Sequence, residues 1–266
     1  MSSSPPIVLA FAASDPTGGA GLQADLLTLA SLGCHPLSVL TALTVQDTRG
    51  VESLLAIEPA WVASQARRLL EDIPVAAFKL GVLGSAANAR IIAAILAEHP
   101  GTPVVLDPVL ASGRGDPLAD AETVQVLRAA LLARTTVLTP NSVQARRLAL
   151  AGPDASLPEC ARELTKLGCD FVLVTGTHEP GTQVSNTLYD AHGVVREDHW
   201  QRLPGSYHGS GCTLASALAA LIAKGLDMEN AVQAAQRYTW QTLAAGFQPG
   251  RGQHLPDRFF ETRSGR

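Results

Sequence analysis

The sequence predicts an α/β protein whose central sheet is mostly parallel and is covered by helices on both faces. Short apolar runs alternate with longer amphipathic stretches along most of the chain. Runs of this kind are typical of strands that are buried on both sides, and the amphipathic stretches are typical of helices that cover them. The alternation therefore favours βαβ units with right-handed crossovers, which build a parallel sheet between two helical layers.

Six apolar runs are the predicted parallel strands. They are Ile7–Ala13, Leu37–Thr44, Val75–Leu80, Pro103–Asp107, Thr135–Leu138 and Phe171–Thr175. Two later runs, Val184–Tyr189 and Val194–Trp200, are separated by Ala191-His192-Gly193. Alternating runs around a short glycine-containing connection predict a β-hairpin.

Amphipathic patterns predict the helices between these strands. They cover Ala20–Leu32, Pro59–Glu71, Ala86–Glu98, Ala121–Leu132, Ser142–Leu150 and Pro158–Leu167, followed by two longer helices at Ser210–Lys224 and Met228–Ala245. Ser85 stands where a hydroxyl can cap a helix, and Gly33 and Gly168 follow helices at positions that favour glycine.

The chain of 266 residues is predicted to form a single domain, because no linker or internal repeat divides it. Residues 1–6 (MSSSPP) are expected to be a loose tail. Residues 246–266 are rich in Gly and Arg and are expected to be only partly ordered.

Composition excludes several classes of protein. The net charge is -4, with 46% hydrophobic and 17% charged residues, which does not fit a disordered or nucleic-acid-binding chain. No apolar run approaches the ~20 residues that span a bilayer. The four cysteines form no C-x-x-C pair and no secretory signal precedes them, so we expect a reduced cytoplasmic protein in which Cys34, Cys160 and Cys169 serve packing.

The segment Gly209-Ser210-Gly211-Cys212-Thr213 runs directly into the apolar stretch LASALAALIA. Small residues allow a tight turn that points several N–H groups in one direction, and the following helix adds the positive end of its dipole. The segment therefore predicts a phosphate-binding turn, although a plain tight turn is the alternative. A thiol at the start of a helix is expected to have a depressed pKa, which applies to Cys212.

Polar or glycine-rich loops follow the predicted parallel strands. They are Ser14–Gly19, Gln46, Gly81–Gly84, Asp107–Val109, Thr139–Asn141 and Thr175–His178. Ligands of open α/β sheets gather outside the carboxyl ends of the strands, so these loops are expected to face one crevice. Some of these polar residues have a structural alternative, since Asp15 and Asn141 could cap helices. Lys79, at the end of a predicted strand, is expected to be the partner in an ion pair.

With these loops in place, the chain resembles the hydroxymethylpyrimidine/phosphomethylpyrimidine kinases of thiamine biosynthesis, within the ribokinase-like superfamily. The resemblance extends from about Ile7 to Ala245. It rests on ASDPTGGAGLQADL, LTALTVQDTRGV, FKLGVLGS, VVLDPVLASGRGDPL, LTPN, VLVTGTH and HGSGCTLASALAA. It implies a three-layer ribokinase-like fold and an ATP-dependent kinase that phosphorylates 4-amino-5-hydroxymethyl-2-methylpyrimidine and then its monophosphate.

The resemblance also implies roles for individual residues. Cys212 is the general base of the first step, and Gly209, Ser210 and Gly211 form the anion hole. The pyrimidine substrate is held by Asp15, Gly19, Ala20, Thr44, Gln46 and Leu83. The side-chain amide of Gln46 pairs with the edge of the ring, because it offers both a donor and an acceptor.

On the nucleotide side, Asp107 and Asn141 are implied to orient ATP phosphates and magnesium-bound water. Three departures from the family pattern affect this side. Gln144 stands where a Glu is usual and would hold magnesium only weakly, through water. Thr175 replaces a common Lys, and Arg114 could supply the missing charge by gripping phosphate with two hydrogen bonds, unless it is simply a solvent-exposed loop residue.

The implied cofactors are ATP and Mg²⁺, and the implied partners are small molecules and a second copy of the chain in a homodimer. Two alternatives remain open from the sequence. The protein could be a pyridoxal kinase of the same superfamily, or a pyrimidine sensor that binds without turnover.

Overall fold

The central sheet of the computed structural model, which describes residues 4–263, has nine strands. They are β1 (Ile7–Ser14), β2 (His35–Asp47), β3 (Gly50–Ala56), β4 (Ala77–Leu80), β5 (Val104–Leu106), β6 (Val137–Leu138), β7 (Phe171–Thr175), β8 (Gln183–Asp190) and β9 (Gly193–Gln201). Their order across the sheet is β3-β2-β1-β4-β5-β6-β7-β8-β9.

The six central strands, from β2 to β7 in this order, are parallel to one another. Antiparallel pairs form both edges: β3 pairs with β2, and the hairpin β8–β9 pairs with β7. Because all parallel strands point the same way, the loops after β1, β4, β5, β6 and β7 lie along one edge of the sheet.

The helices lie between successive strands and after the hairpin. They are α1 (Gly21–Ser31), α2 (Pro59–Leu70), α3 (Ala86–Ala97), α4 (Ala121–Val126), α5 (Ser142–Ala149), α6 (Leu157–Lys166), α7 (Ser210–Ala223), α8 (Met228–Ala244) and the short α9 (Phe260–Arg263). No helix of the described residues is long and apolar enough to cross a membrane.

Two apolar cores, one on each face of the sheet, make the three layers. The first joins the sheet to α2 through α6, with Phe11, Phe78 and Leu106 at its centre. The second joins it to α1, α7 and α8. Residues 212–221 of α7 are all buried, so this helix lies against the middle of the sheet and its first turn is fixed at the edge that carries the loops.

The predicted fold class is confirmed, and local signals explain much of the agreement. The Ser85 hydroxyl accepts a hydrogen bond of 3.1 Å from the Asn88 amide at the start of α3. Gly33 and Gly168 adopt positive φ angles of 79° and 107° just after α1 and α6. All four cysteines are buried free thiols.

Two elements differ from prediction. Strand β3 was not predicted, because it lies at the edge of the sheet and three of its residues are exposed, so it shows no buried apolar run. The predicted helix over Ala121–Leu132 is α-helical only to Val126 and continues as a π turn (127–131) and a 3₁₀ turn (132–134). Leu127, Leu131 and Leu132 remain buried throughout, so packing survives the change of helical pitch.

The two tails behave differently from each other. Residues 1–3 and 264–266 lie outside the described residues. Of the N-terminal tail expected at residues 1–6, the structure therefore describes only residues 4–6. The expectation of a partly ordered segment from residue 246 does not fit residues 247–258. Phe247 and Leu255 exchange two backbone hydrogen bonds, and the Arg258 side chain is buried. The polar composition of this segment suggested exposure, but its polar groups find partners inside the fold.

Candidate active site

The glycine turn for which phosphate binding was predicted lies at the start of α7, and it is called the phosphate-binding turn for that prediction. Gly209 adopts a left-handed conformation with φ 78°, and Ser210 begins the helix. A Cβ at position 209 would overlap the carbonyl oxygen of Gly19, so only glycine fits there. The first-turn amides of a helix have no partner within the helix, so this turn presents N–H groups and a positive dipole end to an anion.

Asp107 lies directly beside this turn, just after β5. A Cβ built on Gly211 would lie 3.8 Å from both carboxylate oxygens of Asp107. The side chain is 3% exposed, and its Oδ2 is buried without a hydrogen-bond partner. Burial, together with the charge of Asp25, raises the pKa of Asp107 to about 6, although Lys79 opposes the rise. An unpartnered oxygen of this kind is suited to a cation or to a bound water.

Cys212 faces the same group of charges, but its predicted chemistry needs correction. The side chain is buried, and burial together with the negative charge of Asp107 raises the pKa of the thiol above its ordinary value. These two effects therefore outweigh the lowering of the thiol pKa that was expected from the helix N-terminus. The sequence shows the helix start but not the carboxylate beside it, which explains the error. In this structure the thiol is protonated at neutral pH.

Lys79 and Asp25 form a completely buried ion pair behind Asp107, as predicted for Lys79. Lys79 Nζ lies 2.7 Å from Asp25 Oδ1, and Ser216 of α7 donates to the same oxygen at 2.8 Å. Burial would lower the pKa of Lys79, but the negative charges of Asp25 and Asp107 hold it above the usual value. The pair therefore joins β4, α1 and α7 beneath the site.

Asp15 organises the loop after β1. Its carboxylate accepts hydrogen bonds from the amides of Thr17 (2.8 Å) and Ala20 (2.7 Å) and lies 2.8 Å from His208 Nε2. Burial would raise the pKa of Asp15, but the hydrogen bond and charge of His208 hold it below its usual range. Asp15 does not cap α1, whose N-cap is Ala20. It instead ties the predicted substrate loop, with Gly19, to the residue that precedes the phosphate-binding turn.

Gln46 and Thr44 lie near the end of β2. Gln46 Nε2 donates to Thr44 Oγ1 at 2.7 Å, and Thr44 donates to the Ser14 carbonyl at 2.7 Å. Gln46 also lines a cavity of about 410 Å³ together with Pro16, Thr17, Asp47, Thr48, Arg49, Gly250 and Arg251. Leu83 is 4% exposed and belongs to the core with α3 rather than to the lining of this cavity.

Asn141 and Gln144 engage each other at the start of α5. The backbone N–H of Gln144 donates to Asn141 Oδ1 at 2.8 Å, and the backbone N–H of Asn141 donates to Gln144 Oε1 at 2.9 Å. This reciprocal capping box confirms the alternative that Asn141 caps a helix, and it occupies the Gln144 oxygen that was expected near magnesium. Thr175 lies next to Asn141, because its amide donates to the Pro140 carbonyl at 2.9 Å.

Arg114 lies on the loop after β5, over the turn between β2 and β3. Its Nη1 donates to the Arg49 carbonyl at 3.2 Å, and Asp116 of the same loop accepts from the Val51 amide at 3.2 Å. The structure therefore brings Arg114 to the rim near Gln46 rather than to Thr175. Within residues 4–263, no three His, Cys, Asp or Glu side chains come close enough together to hold a metal ion by themselves.

The sequence did not single out two residues that shape this site. His208 holds Asp15, and Arg258 donates to the carbonyls of Gly18 (3.2 Å) and Gly19 (2.6 Å). His208 begins the segment HGSGCTLASALAA and Arg258 lies outside the quoted segments, but the partners of both are distant along the chain, so no local pattern could have shown their contacts.

Comparisons with known proteins now decide the family. A model of the family described as phosphomethylpyrimidine kinase matches residues 15–257. A hydroxymethylpyrimidine/phosphomethylpyrimidine kinase of Streptomyces coelicolor is 40% identical over 254 residues, covering 93% of this chain and 92% of that protein. The chain belongs to the phosphomethylpyrimidine kinase family. As a member of this family it is a phosphotransferase, as the sequence predicted.

Other matches place the kinase among its relatives. The chain spans 50% of the thiamine biosynthesis bifunctional protein ThiED of Geobacter sulfurreducens, at 40% identity over 247 residues and 92% of this chain. A phosphomethylpyrimidine kinase structure from Clostridium difficile has a TM-score of 0.78 at 29% identity, covering 90% and 99% of the two chains. The ADP complex of Bacillus subtilis pyridoxal kinase has a TM-score of 0.85 at 26% identity, covering 96% and 98%.

Proposed function

We propose that this kinase phosphorylates 4-amino-5-hydroxymethyl-2-methylpyrimidine, and then its monophosphate to the diphosphate, with ATP as donor in thiamine biosynthesis. One structural observation carries the proposal: the buried Asp107 carboxylate lies against the phosphate-binding turn of Gly209, Ser210 and Gly211. An anion cradle beside a carboxylate that can face a hard cation is what transfer of a phosphoryl group requires.

The acceptor side is proposed to lie at Gln46 and the loop from Asp15 to Ala20. Because Gln46 Nε2 is held by Thr44, its Oε1 is the atom that can accept a hydrogen bond from an exocyclic amine. The cavity of about 410 Å³ at Gln46 is large enough for a substituted pyrimidine. Asp15 acts by fixing the loop, of which Pro16 and Thr17 line this cavity, and Gly19 and Ala20 are proposed to hold the substrate from the same loop.

The nucleotide side is proposed to lie at Asp107, Asn141 and Thr175. The unpartnered Oδ2 of Asp107 fits a role toward Mg²⁺ or a magnesium-bound water. Gln144 would contribute only weakly through water, since its oxygen already accepts from Asn141. When bound with ATP, the ion supplies neutralisation of phosphate charge. Arg114 would reach the phosphates only after its loop moves from the Arg49 carbonyl.

Cys212 is the proposed general base for the first phosphorylation. The hydroxyl proton passes to the sulfur as the oxygen attacks the γ-phosphorus, and the bond from that phosphorus to the bridging oxygen breaks and releases ADP, while the turn amides stabilise the transferring group. Only the thiolate can accept this proton, and burial makes the thiolate scarce. A phosphate monoester, with a second pKa of about 6, is already a dianion at neutral pH and needs no base.

The direct test is to incubate the purified protein with ATP, magnesium and each acceptor, and to identify products by mass. We expect the monophosphate and then the diphosphate of the pyrimidine, with one ADP released per transfer. Asp107→Asn is the matched control, since it keeps the volume of the side chain and removes its charge. Absence of both products from the wild-type protein would reject the proposal.

Pyridoxal is the acceptor that tests a second candidate function. The similarity to the Bacillus subtilis pyridoxal kinase, at 26% identity, favours its inclusion. Faster turnover of pyridoxal than of the hydroxymethylpyrimidine would reverse the assignment. Stoichiometric pyrimidine binding without ADP release would instead identify a sensor.

The edge hairpin β2–β3 is proposed to form the interface of a homodimer. Leu43, Val45 and Leu55 expose 44%, 56% and 65% of their surfaces there, and such apolar patches mark association sites. Sedimentation of Leu55→Asp against wild type tests this, and a wild-type monomer at micromolar concentration would contradict it.

We also propose a cytoplasmic location, which the four free thiols support.

A further inference from the structure

Arg258 places a buried positive charge beside the phosphate-binding turn without a carboxylate partner. Its side chain is 4% exposed, and no ion pair within residues 4–263 includes it. The guanidinium instead donates to three neutral oxygens, which are Gly18 O (3.2 Å), Gly19 O (2.6 Å) and Thr213 Oγ1 (3.0 Å from Nη2 and 3.2 Å from Nε). Neutral acceptors satisfy its donors, and Asp25 and Asp15 act on its charge only without direct contact, so burial holds the pKa of Arg258 below its usual value.

Thr213 connects this guanidinium to the turn itself. Its hydroxyl accepts from Arg258 and donates to the Gly209 carbonyl at 2.9 Å, the same oxygen that accepts the first helical hydrogen bond of α7. Gly209 in turn lies against the peptide of Gly19. One guanidinium therefore bridges the loop on the proposed acceptor side and the turn on the proposed nucleotide side.

The surrounding structure holds Arg258 firmly in place. Its carbonyl accepts from the Tyr238 hydroxyl at 3.0 Å, and that hydroxyl lies 2.6 Å from Ser31 Oγ on α1. Upstream, the His208 amide donates to the His254 carbonyl at 2.9 Å. The segment before Arg258 is thus anchored on α1, on α8 and on the residue preceding Gly209.

We infer that Arg258 is a positioning residue for phosphoryl transfer, which fixes the distance between the Gly18–Gly19 loop and the Gly209–Thr213 turn. The inference rests on the proposed function. Transfer between two bound substrates depends steeply on their separation, and a misplacement of about 1 Å can cost about 100-fold in rate. Binding of either substrate alone does not depend on this separation.

The inference predicts a split between transfer and binding in Arg258 variants. We expect Arg258→Gln to lower kcat about 100-fold for both pyrimidine acceptors, while the dissociation constants of the acceptor and of a non-hydrolysable ATP analogue, measured separately by calorimetry, change less than about threefold. Arg258→Lys keeps the charge but cannot bridge both segments with one planar group, so it should recover only about tenfold of the loss.

Two further variants make the experiment decisive. Arg263→Gln is the matched control, because Arg263 lies in the same segment but is exposed, and it should retain wild-type kcat. Thr213→Val removes only the bridging hydroxyl and should lower kcat about tenfold. It provides the same test if Arg258→Gln proves unable to fold.

The outcomes separate this inference from the proposed function. Wild-type protein inert toward both pyrimidines would overturn the proposed function, and the inference with it. Active wild type with Arg258→Gln or Thr213→Val within threefold of its kcat would overturn only the role of Arg258. A binding stoichiometry that falls in proportion to kcat in both Arg258→Gln and Thr213→Val would also overturn it, since that result shows loss of folded protein rather than loss of alignment.

Discussion

Lys79 Nζ lies 2.7 Å from Asp25 Oδ1, and neither side chain has any exposed surface. Removing one partner of such a pair leaves an uncompensated buried charge, which costs about 3–5 kcal/mol. We therefore expect Lys79→Met to lower the free energy of unfolding by this amount in urea titrations, and Lys79→Met combined with Asp25→Leu to recover most of it. The exposed pair of Arg67 and Glu98 provides the control, since Arg67→Gln should lower the free energy of unfolding far less than Lys79→Met. Equal effects at the two sites would contradict a structural role for Lys79.

Asp107→Asn should stabilise the protein while it impairs catalysis. Burial raises the pKa of Asp107 from 3.8 to about 6, so ionisation of this carboxyl costs about 3 kcal/mol in the folded state. The cost is absent below pH 3.8, grows as the pH rises, and is complete above about pH 6. In thermal unfolding, Asp107→Asn should therefore have a higher melting temperature than the wild type at pH 8, and this difference should disappear near pH 4.

Asp116→Asn is a control of opposite sign. Hydrogen bonds from Ser112 and from the Val51 amide hold the pKa of Asp116 below its usual value, so its ionised form stabilises the fold. This variant should lose stability at pH 8 and approach wild type in acid. If the difference in stability between Asp107→Asn and the wild type does not vary with pH, ionisation of Asp107 does not destabilise the fold.

Gln144→Glu should lower the magnesium concentration needed for half-maximal rate, by about threefold. A carboxylate attracts Mg²⁺ more strongly than an amide, and a Glu at this position still accepts from the Asn141 amide in a capping box. Gln144→Ala separates the two effects, because it removes only the reciprocal hydrogen bond of the capping box, keeps the Asn141 N-cap and adds no charge. The measurement is the initial rate as a function of magnesium concentration for each variant. If Gln144→Glu needs as much magnesium as the wild type, or more, residue 144 does not face the metal.

Cys212→Ala should impair the two phosphorylations unequally. Loss of a general base typically costs 10²–10⁴-fold, so we expect the rate with the alcohol to fall about 100-fold or more and the rate with the monophosphate to fall less than tenfold. Cys34→Ala, at another buried thiol, is the control. Equal losses on the two acceptors would refute the base assignment.

The same thiol predicts the pH dependence of the wild-type enzyme. Because burial raises the pKa of Cys212, the thiolate fraction grows about tenfold per pH unit across the neutral range. The ratio of alcohol to monophosphate turnover should therefore rise between pH 6.5 and 8.5. A constant ratio would show that proton removal by this group does not limit the first step.

The parallel sheet and the glycine turn were predictable because their signals are local. Buried runs such as Phe171–Thr175 match β7 residue for residue, and the Gly209 turn precedes its helix as expected. Strand β3 was missed because half-exposed edge strands carry little hydrophobic pattern. The expected direction of the Cys212 pKa shift was wrong because the shift depends first on burial and then on Asp107, which lies more than a hundred residues earlier in the chain.

The contact between Arg258 and the Gly18 carbonyl joins residues that are 240 positions apart. On a ribosome, Gly18 emerges long before Arg258 has been translated, so a nascent polypeptide carries its glycine loop and its helix without the arginine that aligns them. The bridge between the Gly18–Gly19 loop and the turn at Gly209 therefore forms only after Arg258 itself has been synthesised.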